Sequence, residues 1–170
     1  TGCSVLMLSM LFWLVMNFKP VIMSRYKLVL ATKPQSGSAT YLSTVSNPRT
    51  PFDWISRDNE TVDQYIADPK CGFVCKCSLY RDMMGGLQFI WKEENLQKMK
   101  KELPVFFYSG DMDPVGDWGK GTKKVYERFV DTGMQDVTLK LYPNGRHEML
   151  NEINKEEVYN DILAWVDSKL

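Results

Sequence analysis

Proton-transfer chemistry is within reach of a few side chains that stand just after two apolar stretches. Asp111 and Asp113 follow Val105-Phe106-Phe107-Tyr108 across Ser109-Gly110, and His147, the single histidine of the chain, follows Val137 to Tyr142 across Pro143-Asn144-Gly145. Histidine is the side chain whose ordinary titration lies nearest neutrality. A carboxylate on one ring nitrogen fixes the tautomer and stabilises the imidazolium formed when the other nitrogen takes a proton. A serine hydroxyl is a poor nucleophile at its free pKa and needs such a base. Taken singly, each residue has a plainer reading: an Asp-Pro step is most often a turn, and a lone histidine is more often a surface residue. Their joint position is what gives the pair meaning.

That position follows from the elements around them. Val105 to Ser109 is too short for a helix and is bounded by Pro104 and Gly110, so it reads as a buried strand. Asp113-Pro114 stops the extended chain, because proline fixes φ and lacks a ladder donor. Val137 to Tyr142 alternates apolar and polar side chains with period two and reads as a second strand. Between them Trp118, Thr122, Val125, Tyr126, Phe129 and Val130 recur at helical spacing, with Gly133 as a stop. A β-α-β unit with a right-handed crossover makes the strands parallel, so Asp113 and His147 project from the same sheet edge. In open α/β sheets the carboxyl edge is where ligands bind. An acid and then a histidine after successive strands is also the order found in α/β-hydrolase triads, where a serine comes earlier.

Four stretches carry a specific resemblance: Phe52-Asp53-Trp54-Ile55-Ser56-Arg57-Asp58; Ala67-Asp68-Pro69-Lys70-Cys71-Gly72-Phe73; Ser109-Gly110-Asp111-Met112-Asp113-Pro114-Val115-Gly116; and Arg146-His147-Glu148-Met149-Leu150-Asn151-Glu152. From about Phe52 onward the chain resembles the C-terminal half of bacterial α/β hydrolases of the lysophospholipase and monoacylglycerol-lipase-like group, also labelled serine aminopeptidase. Before Phe52 the resemblance is weak. It implies an α/β fold with residues 1–102 as helical cap and connection and residues 103–170 as the C-terminal part of the hydrolase core. It also implies that Asp113 is the triad acid and His147 the base, with Asp111 left as a turn residue, and that no cofactor or metal is needed. The implied substrate is a lipid-like carboxylic ester. The implied location is the cytoplasm, with peripheral membrane contact through the apolar cap.

The nucleophile is not in these 170 residues by pattern. No G-x-S-x-G occurs, and Gly2-Cys3-Ser4-Val5-Leu6 lacks the second glycine that the sharp strand-to-helix elbow requires. Ser109 precedes the acid on its own strand. The oxyanion hole is absent with the nucleophile, since one donor follows that serine and the other comes from an earlier loop. The expected arrangement is therefore a fragment whose partner is a missing N-terminal half.

Composition narrows the alternatives. With 21 basic and 21 acidic residues the net charge is +0, and no basic cluster is long enough to supply the counterion release that nucleic-acid binding draws on. Cys71, Cys75 and Cys77 form C-x3-C-x-C, which lacks the pairs and the second histidine of a zinc site; thiols kept reduced are the simpler reading. Gly119-Lys120-Gly121-Thr122 lacks the spacing of a phosphate-binding loop. Asp111-Met112-Asp113-Pro114-Val115 also fits the D-x-D-x-[TV] motif of haloacid-dehalogenase-like phosphotransferases, although Arg146-His147 stands where that group would present acidic metal ligands. A non-catalytic remnant that keeps an apolar binding surface is the third reading.

Near the N-terminus Val5 to Phe18 is apolar apart from Ser9 and Asn17, and Met7, Met10, Met16 and Met23 crowd this region. The uncharged run only reaches the lower limit for a membrane span, and Lys19-Pro20 follows where a signal peptide would have a small-residue cleavage site. A buried core helix fits the composition. The resemblance favours a cap helix, for which flexible, polarisable methionine is suited. Tyr26 to Pro51 reads as a connection rich in turn chemistry. A short helix is expected over Glu60 to Ile66 with Asp58 as N-cap, and a helix in two pieces split at Gly85-Gly86 over Tyr80 to Lys101. A last helix is expected after the capping box Asn154-x-x-Glu157, with Val158, Ile162, Trp165 and Val166 facing the sheet.

Overall fold

The computed structural model describes residues 45–71 and 76–170. The apolar segment Val5 to Phe18, Ser4, Cys3, Cys75, most of the Tyr26 to Pro51 connection and the Gly72-Phe73 step of the second resembling stretch lie outside the described residues. The elements in chain order are α1 (Asn59–Ala67), α2 (Cys77–Trp91), α3 (Glu93–Leu96), β1 (Val105–Gly110), α4 (Lys120–Asp131), β2 (Val137–Tyr142), a 3-10 turn (Met149–Asn151) and α5 (Lys155–Asp167).

Among the described residues the sheet is the parallel pair β1 and β2, in register from Val105 opposite Val137 to Gly110 opposite Tyr142. Both strands thus end level with each other, and the acid and histidine turns leave from one edge, as the crossover rule requires. Helix α4 packs against this pair, with Phe129 edge-on to Phe107 at 5.0 Å between ring centroids. Helix α5 supplies Val158, fully buried with Tyr142 and Met149, and Trp165, which stacks on Phe106 and donates from Nε1 to Thr138 Oγ1 at 3.2 Å. A second apolar cluster joins Trp54, Ile55 and Val115, with Val45, Phe52 and Tyr65 packed against it. It ties the segment before α1 to the turn that carries Asp113.

Helix α1 begins as the sequence requires: Asp58 accepts from the Glu60 N–H at 3.0 Å and satisfies one of the orphan donors of the first turn. Elsewhere the local reading is corrected. Helix α2 runs unbroken through Gly85-Gly86 and ends at Lys92, whose ψ of 136° is extended. The two glycines cost about 1 kcal/mol each relative to alanine, but Leu87, only 2% exposed, anchors the middle of the helix. Asn95 rewards the break at Lys92 by donating from Nδ2 to the Phe89 carbonyl at 2.7 Å.

Trp118 is not in a helix. Asp117, Trp118 and Gly119 adopt positive φ of 50°, 53° and 76°, and α4 starts only at Lys120. The capping box at α5 does not form either. Asn154 makes no side-chain cap bond; its Oδ1 accepts from Arg57 Nη2 at 3.0 Å and its Nδ2 donates to Glu157 Oε2 at 2.9 Å. A guanidinium from another part of the chain has taken the oxygen that would have capped the helix. Val166, expected on the inner stripe, is 40% exposed.

Candidate active site

The close approach of two turns builds the site. Gly110 ends β1 and Gly145 follows β2, and a Cβ on Gly110 would lie 2.0 Å from the Gly145 carbonyl oxygen. Lacking side chains there, the two backbones meet and bond: the Asp111 N–H donates to the Tyr142 carbonyl at 3.1 Å and the Met112 N–H to the Gly145 carbonyl at 2.9 Å. Asp111 Oδ1 accepts the Asn144 N–H at 2.6 Å, which is the turn role expected of it. These contacts bring residue 113 to residue 147.

His147 Nδ1 lies 3.0 Å from Asp113 Oδ1, and both residues are buried. The same oxygen accepts the Val115 N–H at 2.9 Å. A Cβ on Gly116 would sit 3.1 Å from Asp113 Oδ2, so the absence of a side chain at Gly116 leaves room for the carboxylate. A carboxylate only accepts, so in the neutral ring the proton belongs on Nδ1 and the lone pair on Nε2. That is the protonation state a general base needs. The ring is enclosed. The His147 side chain has 0% exposure, and the Trp54 ring stands against it at 5.2 Å between centroids.

Around this pair a strap of residues 53–57 is bonded to the histidine turn. The Glu148 N–H donates to the Ile55 carbonyl at 2.8 Å, Arg146 Nη1 donates to the carbonyls of Asp53 and Ser56, and Ser56 Oγ donates to the Asn151 carbonyl at 2.9 Å. Glu152, at 0% exposure, is the knot. Its Oε1 accepts the N–H groups of Arg57 (3.1 Å) and Arg146 (2.9 Å), and its Oε2 accepts Arg57 Nε and the Ile153 N–H, both at 3.0 Å. Burial pushes the Arg146 guanidinium down from its ordinary pKa, against the pull of Glu152 and Asp53.

Burial also raises the Glu148 carboxyl above the usual range, offset in part by the Asn151 hydrogen bond and by His147. Its Oε1 is buried with no hydrogen-bond partner among the described residues. Asp53 shows the opposite balance. Burial pushes it up, but hydrogen bonds from Thr50 and the backbone at Arg49 and Thr50 bring it below its ordinary value.

The family described as serine aminopeptidase, S33, matches residues 5–154. The chain belongs to this family. The match reaches back well before Phe52, further than the resembling motifs extend. The chain is 30% identical over 121 residues to a monoacylglycerol lipase of Mycolicibacterium smegmatis (strain ATCC 700084 / mc(2)155), covering 69% of this chain and 40% of the lipase. Among solved structures it is similar to a highly thermostable carboxyl esterase from Bacillus coagulans in complex with glycerol. There the TM-score is 0.65 and the identity 32%, over 75% of this chain and 42% of the esterase. A lipase in an open form superposes with a TM-score of 0.67 at 23% identity, over 86% of this chain and 50% of the lipase; this likeness speaks for the fold alone.

The chain thus spans half or less of the length of these relatives and forms the C-terminal part of an α/β-hydrolase fold. Membership of the serine aminopeptidase family sets aside the dehalogenase-like alternative. Sequence reasoning named Asp113 and His147 but gave no role to Trp54, Arg146 or Glu152, and it did not foresee the meeting of Gly110 and Gly145. Trp54, Arg146 and Glu152 stand inside the motifs that carry the resemblance, which was the only signal for them.

Proposed function

We propose that this chain provides the acid and base of a Ser-His-Asp triad, and that the serine comes from polypeptide outside these 170 residues. The single observation that carries the reading is the 3.0 Å approach of His147 Nδ1 to Asp113 Oδ1 at the carboxyl ends of two parallel strands. In this scheme Nε2 of His147 takes the proton of the serine hydroxyl as it attacks the ester carbonyl, and later gives that proton to the leaving alcohol. Asp113 stabilises the imidazolium between these steps. The reaction needs no metal or cofactor. The substrate class is a monoacylglycerol- or lysophospholipid-like ester, a reading supported by the lipase and esterase relatives. The same reading puts the protein in the cytoplasm with peripheral membrane contact.

The test joins the chain to a family N-terminal half carrying G-x-S-x-G. The assembled protein should be labelled by a fluorophosphonate probe and hydrolyse a monoacylglycerol. His147→Ala or Asp113→Asn should cut turnover by at least about 10³-fold. The isolated chain should show no turnover above its own His147→Ala control. Hydrolysis that survives His147→Ala would refute the assignment.

A second reading, a non-catalytic binding protein derived from a hydrolase, draws support from the enclosed imidazole of His147. Lipid binding by the assembled protein without probe labelling would favour it.

A further inference from the structure

We infer that Arg146 is a positioning residue that buckles the Asp53–Ser56 strap to the histidine turn and so holds the His147 ring against Asp113. This rests on the reading of His147 as the base.

Arg146 is held at both ends. Its backbone N–H donates to the buried carboxylate of Glu152 at 2.9 Å, and its Nη1 donates to the carbonyl of Asp53 and, at 3.0 Å, to that of Ser56. The residue on the other side of His147 is tied to the same strap, through Glu148 N–H to the Ile55 carbonyl at 2.8 Å. His147 is therefore bracketed by two residues that both grip one short segment. That segment carries Trp54, whose ring is packed against the imidazole at 5.2 Å. Three backbone carbonyls of the strap, those of Asp53, Ile55 and Ser56, are spent on residues 146 and 148.

The residue type matters. A guanidinium is a planar fork with donors fixed in direction, whereas an ammonium is a compact, mobile point charge on a flexible stem. Lysine would keep the charge and the apolar stem at this site but would not hold two carbonyls at fixed angles. Loss of the buckle lets the strap and Trp54 move away from the ring, and the ring then samples positions off Asp113. The effect acts through His147 and requires no contact between Arg146 and substrate.

Because His147 is the chain's sole histidine, its ring Nδ1–H gives one low-field proton resonance that needs no further assignment. Its exchange with water reports how firmly the ring is held on Asp113. The experiment uses the assembled protein, the ¹⁵N-labelled chain joined to an unlabelled family N-terminal half, as wild type, Arg146→Lys and Arg146→Met, with Asp113→Asn as the reference for a broken bond.

The expected result is a dispersed, folded amide spectrum for both Arg146 variants with Nδ1–H exchange at least about tenfold faster than in the wild type. A folded variant whose Nδ1–H exchanges at the wild-type rate would overturn the inference. If Arg146→Met does not fold, Arg146→Lys decides it. If neither folds, Arg146 is a determinant of the fold and the positioning role is overturned. The catalytic reading fails separately, by hydrolysis that survives His147→Ala, while the exchange result stands.

Discussion

Replacing Glu152 should be among the most damaging single changes available to this chain, and the choice of replacement tests why. Its carboxylate is fully buried and both oxygens are saturated by donors: Arg57 N–H and Arg146 N–H on Oε1, Arg57 Nε and Ile153 N–H on Oε2. Glu152→Ala leaves three backbone N–H groups and the Arg57 Nε–H without acceptors. Removing one partner of a buried pair costs about 3–5 kcal/mol. The Arg57 side chain is 23% exposed, so water recovers part of its loss and the lower end, about 3 kcal/mol, is expected. Glu152→Gln keeps the shape but not the chemistry, because either orientation of the amide turns an NH₂ group toward two N–H donors. Its cost should approach that of alanine.

In a urea titration followed by tryptophan fluorescence, 3 kcal/mol at a slope of about 1–3 kcal/mol/M moves the midpoint down by about 1–3 M. A Glu152→Gln chain that loses less than about 1 kcal/mol would refute the reasoning, because it would mean that the carboxylate acts by volume and not by accepting four hydrogen bonds.

Other perturbations have equally definite outcomes. Gly110→Ala places a Cβ 2.0 Å from the Gly145 carbonyl oxygen, and the forced separation of the two turns should cost about 1–3 kcal/mol and accelerate exchange of the His147 Nδ1–H. Glu148, whose folded pKa is raised by burial and lowered less by Asn151 and His147, binds its proton more tightly folded than unfolded. It therefore withdraws stability as pH rises from the ordinary glutamate pKa through the folded value. Glu148→Gln should remove that decline, so its urea midpoint should gain on the wild type as pH rises across this window. Asp161 has the opposite sign. Hydrogen bonds from Lys140 and Tyr142, outweighing a small burial effect, lower its pKa, so its contribution is present above the ordinary aspartate pKa and lost as pH falls through the folded value. The stability difference between wild type and Asp161→Asn should accordingly shrink on acidification.

The site's backbone plan was legible in the sequence because it rests on local rules. Breakers at Pro104, Gly110 and Pro143 bounded the two strands, helical spacing from Thr122 to Val130 gave the crossover, and crossover handedness put Asp113 and His147 on one edge. What was not legible depends on partners distant in sequence. Asn154-x-x-Glu157 has the pattern of a capping box, yet Arg57 takes the asparagine oxygen. Trp118 falls at helical spacing but sits at φ 53°, outside the helix it was assigned to. The Gly85-Gly86 pair reads as a break, but buried Leu87 holds α2 together across it and the stop falls at Lys92. The contact of the Trp54 ring with His147 likewise has no signature in spacing.

The two classes of contact at the site differ in how much chain each must close. Asp113 and His147 are 34 residues apart, within one β-α-β unit, whereas the bonds from Arg57 to Glu152 span 95. Closing the larger loop costs roughly 0.9 kcal/mol more in chain entropy. Before those bonds form, the acid–base pair is available to the β-α-β unit by itself. The expected order of assembly is therefore acid with base first and the strap afterwards. Substitutions at Gly110 or Gly145 should slow folding, while substitutions at Arg57, Arg146 or Glu152 should chiefly hasten unfolding.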